Sequence, residues 1–379
     1  MLTAGALGLI ATVIAAVLPV LVSAWQTELK FSAHEAGYVA ATELFAQVCG
    51  TVLFLCLDRV WPLRRCAGLG LALMVAGNLT SAESQHLAAL VASRMIAGTG
   101  GGIVRALSMK CLARAVNPGR AFAMYASGQV AIAATVSAVI PQILNIVGLR
   151  VPFMLLAGLC AAAVGLTFLL PTGPLSRPYP SQRLHVPAQS IWTLGALFIF
   201  FIGQAGVWTF LAPLGEAQHV APRAISGTLV WLNVAGLVGT LGAAALADRV
   251  SPLGTITCLL GITLLAILGL FHSHFSWLLF ALSACSFYFA WCASLPFQFA
   301  IIARSDETGG AGAAAPAIDG LGLACGAAMA GVLITRIGVS AAGLLCVVGS
   351  LGGVACYVFA NSLIRKTSRS TSLQASSAG

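Results

Sequence analysis

Long apolar stretches recur along the whole chain and are separated by short polar segments. A helix that crosses a membrane needs about 20 mostly apolar residues. The pattern therefore predicts twelve membrane spans, the third of them short, at Leu2 to Trp25, Ala36 to Leu57, Cys66 to Ser81, Leu87 to Met109, Phe122 to Leu144, Val151 to Leu170, Ile191 to Leu214, Ile225 to Ala247, Leu253 to Phe271, Trp277 to Ile302, Ala313 to Thr335 and Ala341 to Ala360.

A polar, proline-rich segment divides the twelve stretches into two sets of six. Pro171 to Ser190 contains five prolines and two arginines, which is typical of a linker. We predict a six-helix bundle over residues 1–171, a cytoplasmic linker over 172–190 and a second six-helix bundle over 191–364. The Ser-rich residues 365–379 are expected to form a disordered cytoplasmic tail.

Composition supports a membrane protein. Of the 379 residues, 59% are hydrophobic and 8% are charged, whereas a soluble domain carries about 25% charged residues. This small number of charges cannot form the surface of a soluble protein. Lipid must therefore solvate the remaining apolar surface. The net charge of +9 is therefore attributed to loops at the cytoplasmic face rather than to nucleic-acid binding.

The basic residues also predict the orientation. With the N-terminus inside, one side of the membrane holds Arg59, Arg64, Arg65, Lys110, Arg114, Arg120, Arg177, Arg183, Arg249, Arg304, Arg365, Lys366 and Arg369. The other side holds only Lys30, Arg150, Arg223 and Arg336. The richer side is expected to be cytoplasmic, so both termini are placed in the cytoplasm of a bacterium with the chain in its inner membrane.

Several kinds of chemistry are not indicated. The 11 cysteines lie in apolar stretches, and no Cys/His cluster has the spacing of metal ligands. No Gly-Lys-Ser/Thr loop for ATP is present, and the loops are too short for a catalytic domain. The chain is expected to be neither an enzyme nor a metal or cofactor protein.

An internal repeat relates the two halves. The segment Leu57-Asp58-Arg59-Val60 resembles Ala247-Asp248-Arg249-Val250, at an offset of 190 residues. Gly119 and Gly309 keep the same offset, as do Gly148 and Gly338. Three matches at one offset indicate two related bundles of six helices.

These segments resemble motifs of the major facilitator superfamily. The family's loop motif Gly-x-x-x-Asp-Arg-x-Gly-Arg-Arg is matched in part by Asp58-Arg59 and Arg64-Arg65. Arg94-Met95-Ile96-Ala97-Gly98 resembles its Arg-x-x-x-Gly, and Gly148-Leu149-Arg150 with Phe153 resembles its entry to helix six. The resemblance implies an all-α membrane fold with twelve transmembrane helices in two pseudo-symmetric bundles, acting by alternating access and expected to be a monomer. By the same resemblance, Asp58, Arg59, Asp248 and Arg249 gate the cytoplasmic side.

Buried ionisable residues are the candidates for coupling. Arg94 and Arg105 lie 11 residues apart on the fourth span, so they project from nearly one face, about 16 Å apart. Glu43 and Asp319 are intramembrane acids, and a carboxyl removed from water is easier to protonate. Glu43, Asp319 and Arg94 are therefore predicted to couple protons, with a static Glu43–Arg94 pair, a structural hydrogen bond or a sodium ligand as alternatives.

Other polar and aromatic residues are candidates for the substrate. Gln129 lies 190 residues before Asp319, which places the two on equivalent helices of the two halves. Gln204 and Trp208 are one helical turn apart and share a face. The predicted substrate contacts are Arg105, Gln129, Gln204, Trp208, Trp231, Tyr288 and Trp291. Lipid contact or helix packing is the alternative role for the aromatic residues.

Three functions remain open. The first is proton-coupled export of a small amphipathic or aromatic compound, although the family's Gly-Pro antiporter motif is absent from the fifth span, which has Gly128-Gln129. The second is proton-coupled import of a small organic acid or metabolite, which Arg94 and Arg105 favour. The third is a sensor or scaffold that does not transport. Export ranks first by the resemblance, with a small molecule, protons and the bilayer as partners.

Overall fold

The computed structural model describes residues 2–58, 60–113, 118–170, 188–246, 249–274, 276–305 and 310–377. In these ranges all regular structure is helical. The helices are α1 (Leu2–Thr27), α2 (Ala33–Leu57), α3 (Leu63–Glu83), α4 (Leu87–Ala113), α5 (Pro118–Val147), α6 (Arg150–Val164), α7 (Ala188–Thr209), α8 (Leu211–Ala217), α9 (Pro222–Leu246), α10 (Pro252–Phe271), α11 (Trp277–Ser305), α12 (Gly310–Ile337) and α13 (Ser340–Ser377), with a 3-10 segment at Gly165–Leu169.

The long helices form the predicted twelve spans. Eleven of the described helices are both long and apolar enough to cross a membrane. The described helices outside that set are α3 and α8. Polar residues such as Asn78 and Glu83 lower the hydropathy of α3, yet its 21 residues pack against α4 and α6. Counted with its neighbours, α3 is the third of twelve spans, and the predicted fold is confirmed.

The seventh span is broken, although the sequence predicted it to be continuous from Ile191 to Leu214. It runs as α7 to Thr209 and resumes as α8 at Leu211, with Phe210 outside helical geometry (φ −107°, ψ 18°). The cause is Pro213. A proline has no N–H for the carbonyl four residues earlier, and its ring clashes with that carbonyl, which here belongs to Thr209.

Two other boundaries differ from the prediction. The helix α7 starts at Ala188, inside the segment predicted as linker, while residues 171–187 lie outside the described ranges. The helix α13 continues to Ser377, past the predicted end of the twelfth span at Ala360. Neither Gly nor Pro occurs between Val354 and Ala378 to end the helix.

Among the described residues, the two halves share their apolar core mainly on one side of the bundle. We call the side where α1 begins the near side and the opposite side the far side; α1–α6 form the first half and α7–α13 the second. One apolar core joins both halves, from Val17 and Phe153 to Phe210 and Leu229, and lies mostly toward the far side. Two smaller cores, one in each half, fill the near side. The halves are therefore joined mainly on the far side, and we call the region between their separate near-side cores the cleft.

Direct contacts across the halves agree with this arrangement. On the far side, the backbone N–H of His34 donates to Thr335 Oγ1 (3.0 Å), and Ser23 donates to Glu216. Helices α2 and α12 run antiparallel, and a Cβ placed on Gly320 would lie 2.5 Å from a methyl of Val48. The contact of α2 with α12 thus extends from the far side to the level of Gly320, next to Asp319.

Candidate functional site

Arg94 lies inside the first half, against an acid and an amide. The Arg94 side chain is 0% exposed, and its Nη1 lies 3.4 Å from Oε2 of Glu43. Its Nη2 donates to Oδ1 of Asn78 (2.9 Å), and the guanidinium lies 5.0 Å from the ring centre of Phe153. Glu43 is paired with Arg94, the arrangement given above as the alternative to proton coupling, and Asn78 on α3 is a partner that the sequence did not indicate.

Close packing of α2 on α4 brings Glu43 to Arg94. A Cβ placed on Gly98 would lie 2.6 Å from the carbonyl oxygen of Glu43. A Cβ on Gly102 would overlap the carbonyl of Gln47, and one on Gly50 would overlap that of Thr99. Only glycine permits this approach of the two backbones, which holds the Glu43 carboxyl within reach of the guanidinium.

The pair leaves polar atoms unmatched beside a small cavity. Oε2 of Glu43 and both Nε and Nη1 of Arg94 are buried and have no hydrogen-bond partner among the described residues. The adjacent cavity measures about 20 Å³ and lies among α1, α2, α3, α4 and α6. Its walls are formed by Ile10, Ala11, Ile14, Glu43, Gln47, Met74, Asn78, Arg94, Ala97, Gly101, Leu156 and Cys160.

Arg105 has different surroundings from Arg94, although both belong to α4. Its side chain is exposed, and its charge interacts with Asp319 on α12 and with Tyr125 on α5. Arg105 is 8 residues from the near-side end of α4 and Asp319 is 9 from that of α12, so both lie about 12 to 14 Å deep. The two residues thus lie at a similar depth, one in each half, and are near enough for their charges to interact.

Tyr125 and Gln129 border the same region on α5. They are four residues apart, so their side chains share a face of the helix. Tyr125 is buried and Gln129 is half-buried. Gln129 therefore lies on the α5 face that carries the aromatic neighbour of Arg105.

A cluster of aromatic side chains fills the second half between α7 and α11. The rings of Trp208 and Tyr288 are stacked, with centroids 5.2 Å apart, and Trp291 meets Tyr288 edge-on at 5.5 Å. Phe201 and Phe287 also contact Trp291. The predicted residues Trp208, Tyr288 and Trp291 are thus brought together.

Two predicted substrate contacts lie elsewhere. Gln204 is fully buried and donates to Ser350 Oγ of α13 (2.9 Å), so it ties α7 to α13. Trp231 is 66% exposed on α9, in line with the exposed Val234, Val238 and Leu241. That stripe is the helix face directed away from the protein interior, so the structure does not bring Trp231 to the aromatic cluster.

The predicted gate residues are placed in part. Asp58, at the end of α2, forms an ion pair with Lys110 of α4, a partner that the sequence did not single out. Arg249 is exposed after α9. Arg59 and Asp248 lie outside the described residues. Among the described residues, no group of three or more His, Cys, Asp or Glu could hold a metal ion.

Comparison with known proteins identifies the family. The model of the Major Facilitator Superfamily matches residues 3–315. The chain belongs to the major facilitator superfamily. The family assignment made from the loop and helix motifs is thereby confirmed, and the chain is a multi-pass membrane protein with the fold of a secondary transporter.

Solved structures of other transporters share the fold of this superfamily member. The nucleoside transporter NupG has 14% identity and a TM-score of 0.75, over 95% of this chain and 98% of that one. The inward-open xylose transporter XylE from E. coli has 16% identity and a TM-score of 0.71, over 92% and 94%. A structure on substrate recognition in proton-dependent oligopeptide transporters has 12% identity and a TM-score of 0.74, over 97% and 99%. No curated sequence is significantly similar to the chain.

Proposed function

We propose that the protein exchanges protons for a small aromatic or amphipathic compound, which it exports across a bacterial inner membrane. The observation that carries the proposal is that each of the two intramembrane arginines of α4 interacts with an acid on another helix: Arg94 with Glu43 of α2, and Arg105 with Asp319 of α12. Ionisable groups are costly inside a bilayer and usually mark ion pathways. The near side, with its excess of Lys and Arg, is taken as cytoplasmic.

The charge of Asp319 links proton binding to the change between the two conformational states. An ionised Asp319 attracts Arg105 across the cleft, and the attraction strengthens as the distance falls. Protonation of Asp319 removes the attraction and so favours the state in which the near side is open. A proton can thus shift the equilibrium between the two states, because it interacts differently with each.

Glu43 would act within the first half. Protonation of its carboxyl leaves the Arg94 guanidinium without a counter-charge, which is costly in a buried site. The amide oxygen of Asn78, which accepts from Arg94 at 2.9 Å, would then hold the guanidinium in place. Reordering of these contacts connects proton binding at Glu43 to the packing of α2, α3 and α4.

The aromatic cluster is the proposed wall for the transported compound. Trp208, Tyr288 and Trp291 offer ring faces and edges for an apolar or aromatic group. Arg105 and Gln129, from the first half, would supply polar contacts on the opposite wall. Asp58 with Lys110, together with Arg59, Asp248 and Arg249, is proposed to control closure of the near side.

Import of a small organic acid is the second candidate. The observation that favours it is the exposed Arg105, whose guanidinium faces the cleft and could bind a carboxylate. An acid bound there would compete with Asp319 for the same arginine. Binding of the acid anion would then favour protonation of Asp319, as proton symport requires.

The test is ligand-driven proton movement in liposomes that contain the purified protein and a pH-sensitive dye. Under a pH gradient, addition of ethidium as a planar aromatic cation is expected to drive protons in the opposite direction, whereas benzoate is expected to move no more protons than it does in protein-free liposomes. Asp319→Asn and Glu43→Gln should each reduce the rate about tenfold or more. Glu83→Gln is the matched control, because Glu83 is an exposed acid paired with Arg150.

The possible outcomes separate the candidates. Proton movement in the same direction as benzoate would replace export by import. Full activity in both acid variants would remove Glu43 and Asp319 from the mechanism.

A further inference from the structure

The cavity beside Glu43 is bounded on one side by α4. Its α4 wall consists of Arg94, Ala97 and Gly101, which are separated by about one helical turn each. Arg105 follows Gly101 by one more turn, and its charge interacts with Asp319 of the other half. One stripe of α4 therefore leads from the buried ion pair, past the cavity, to the open space between the halves.

Gly101 differs from the glycines on either side of it. A Cβ on Gly98 or Gly102 would collide with the backbone of α2. A Cβ on Gly101 would find its nearest atoms at 3.8 Å (the carbonyl oxygen of Ala11) and 4.0 Å (Cγ of Gln47). Gly98 and Gly102 are thus required for helix packing, whereas the missing side chain at Gly101 leaves room in the cavity.

The cavity has the volume and the polar lining that a water molecule needs. A cavity needs about 10 to 15 Å³ to hold one water molecule, and that water needs two to four polar partners; this cavity measures about 20 Å³. Glu43 and Arg94 line the cavity, and Oε2 of Glu43 and Nε and Nη1 of Arg94 are buried without hydrogen-bond partners among the described residues, with Oε2 and Nη1 in an ion pair at 3.4 Å. Gln47, one turn after Glu43, contributes an amide to the same wall.

We propose that the space over Gly101 is a water-filled passage by which protons travel between the cleft and Glu43. The proposal rests on the proposed function, because it takes Glu43 as a coupling acid. A hydronium ion in the cleft gives its proton to the water in the cavity, which passes a proton on to the carboxylate of Glu43 and remains neutral, so no other reactant is needed. Gln47 is the hydrogen-bonding group on the wall.

Among the described residues, few charged or titratable groups surround Glu43. From α4 it faces Arg94, with which its charge interacts. The cavity lining from α3 is Met74 and Asn78, and that from α1 is Ile10, Ala11 and Ile14. The thiol of Cys160 on α6 interacts with Arg94. A proton that reaches Glu43 therefore enters a site where Arg94 is the facing charge.

The experiment measures how fast Glu43 is protonated, and it needs no substrate. After a pH jump, infrared difference spectroscopy of the purified full-length protein in lipid should show a protonated-carboxyl band that is absent from Glu43→Gln. Gly101→Leu fills the space over residue 101, so we expect the band to appear about tenfold more slowly. Gly158→Leu is the matched control, because a Cβ there has nothing within 4 Å, and it should keep the wild-type rate.

Two further variants distinguish the predicted effect from misfolding. Gly101→Ala adds one methyl at ordinary contact distance and should slow the band less than Gly101→Leu does. Gln47→Leu changes the polarity of the wall at similar size and should also slow it. Wild-type rates in Gly101→Leu and Gln47→Leu would overturn the passage while leaving Glu43 as a coupling acid. Absence of the Glu43 band in the wild-type protein would instead refute the proposed role of Glu43.

Discussion

Arg94 is held by partners of two kinds, the carboxylate of Glu43 and the amide of Asn78. Removing one member of a buried ion pair costs about 3 to 5 kcal/mol, because the other charge stays buried without compensation. Removing both charges together avoids that penalty. Stability and coupling should therefore respond differently when this site is changed.

We expect the charges of Glu43 and Arg94 to depend on each other for stability, which a double-mutant cycle measures. Glu43→Gln and Arg94→Gln should each lower the free energy of unfolding, the second less because a Glu43 carboxylate left without Arg94 can become neutral by taking up a proton. The double variant should recover most of the loss in Glu43→Gln, yet remain without proton-coupled transport. Thermal unfolding in detergent and the liposome assay measure the two effects. Additive losses of stability would show that the two charges do not depend on each other.

Residue type was enough to predict part of this site. Glu43 and Arg94 stand out because charges inside apolar stretches are rare, whereas Asn78 and Lys110 resemble ordinary polar residues near helix ends. Residue type did not predict the position of Trp231. Aromatic character does not tell which face of a helix a residue occupies, and Trp231 lies on the exposed face of α9.

At the scale of elements, glycines decide how closely α2 and α4 approach. Gly50 of α2 and Gly98 and Gly102 of α4 each lie against the backbone of the other helix. The positions of the spans were predictable because lipid demands long apolar helices. The break after Thr209 was not predicted, because apolar residues continue through it and Pro213 acts on a carbonyl four residues earlier.

The prediction for this packing is that Gly102→Val separates α2 from α4. A Cβ there overlaps the carbonyl of Gln47, so the helices must move apart. Overpacking of this kind costs about 1 to 3 kcal/mol or more, and it should also disturb the Glu43–Arg94 contact. Gly68→Val, on α3 where a Cβ meets nothing within 4 Å, is the control. Equal melting temperatures for the two variants would contradict the packing described.

For the whole molecule, the core itself shows which side is closed. One apolar core spans both halves toward the far side, while the near side has a separate core in each half. Hydropathy along the chain predicts the spans of both halves but carries no information on which ends touch. That choice depends on contacts between distant residues, such as Gly37 with Gly331.

We expect an engineered disulfide between α2 and α12 to hold the far side closed reversibly. The N–H of His34 lies 3.0 Å from Thr335 Oγ1, so the two Cα atoms are less than about 7 Å apart, within the range of a disulfide. His34→Cys with Thr335→Cys should cross-link on oxidation and stop transport, and reduction should restore it. The single variant His34→Cys should be unaffected by oxidant. Full transport by the cross-linked protein would show that the far side does not need to open.

The cleft also gives the molecule a tapered outline. Because the halves touch toward the far side and separate on the near side, the protein occupies more area in one leaflet than in the other. A switch to the opposite state would reverse this taper. The balance between the two states should then follow the lateral pressure profile of the bilayer, so lipids with small headgroups confined to one leaflet would shift it without touching any site described above.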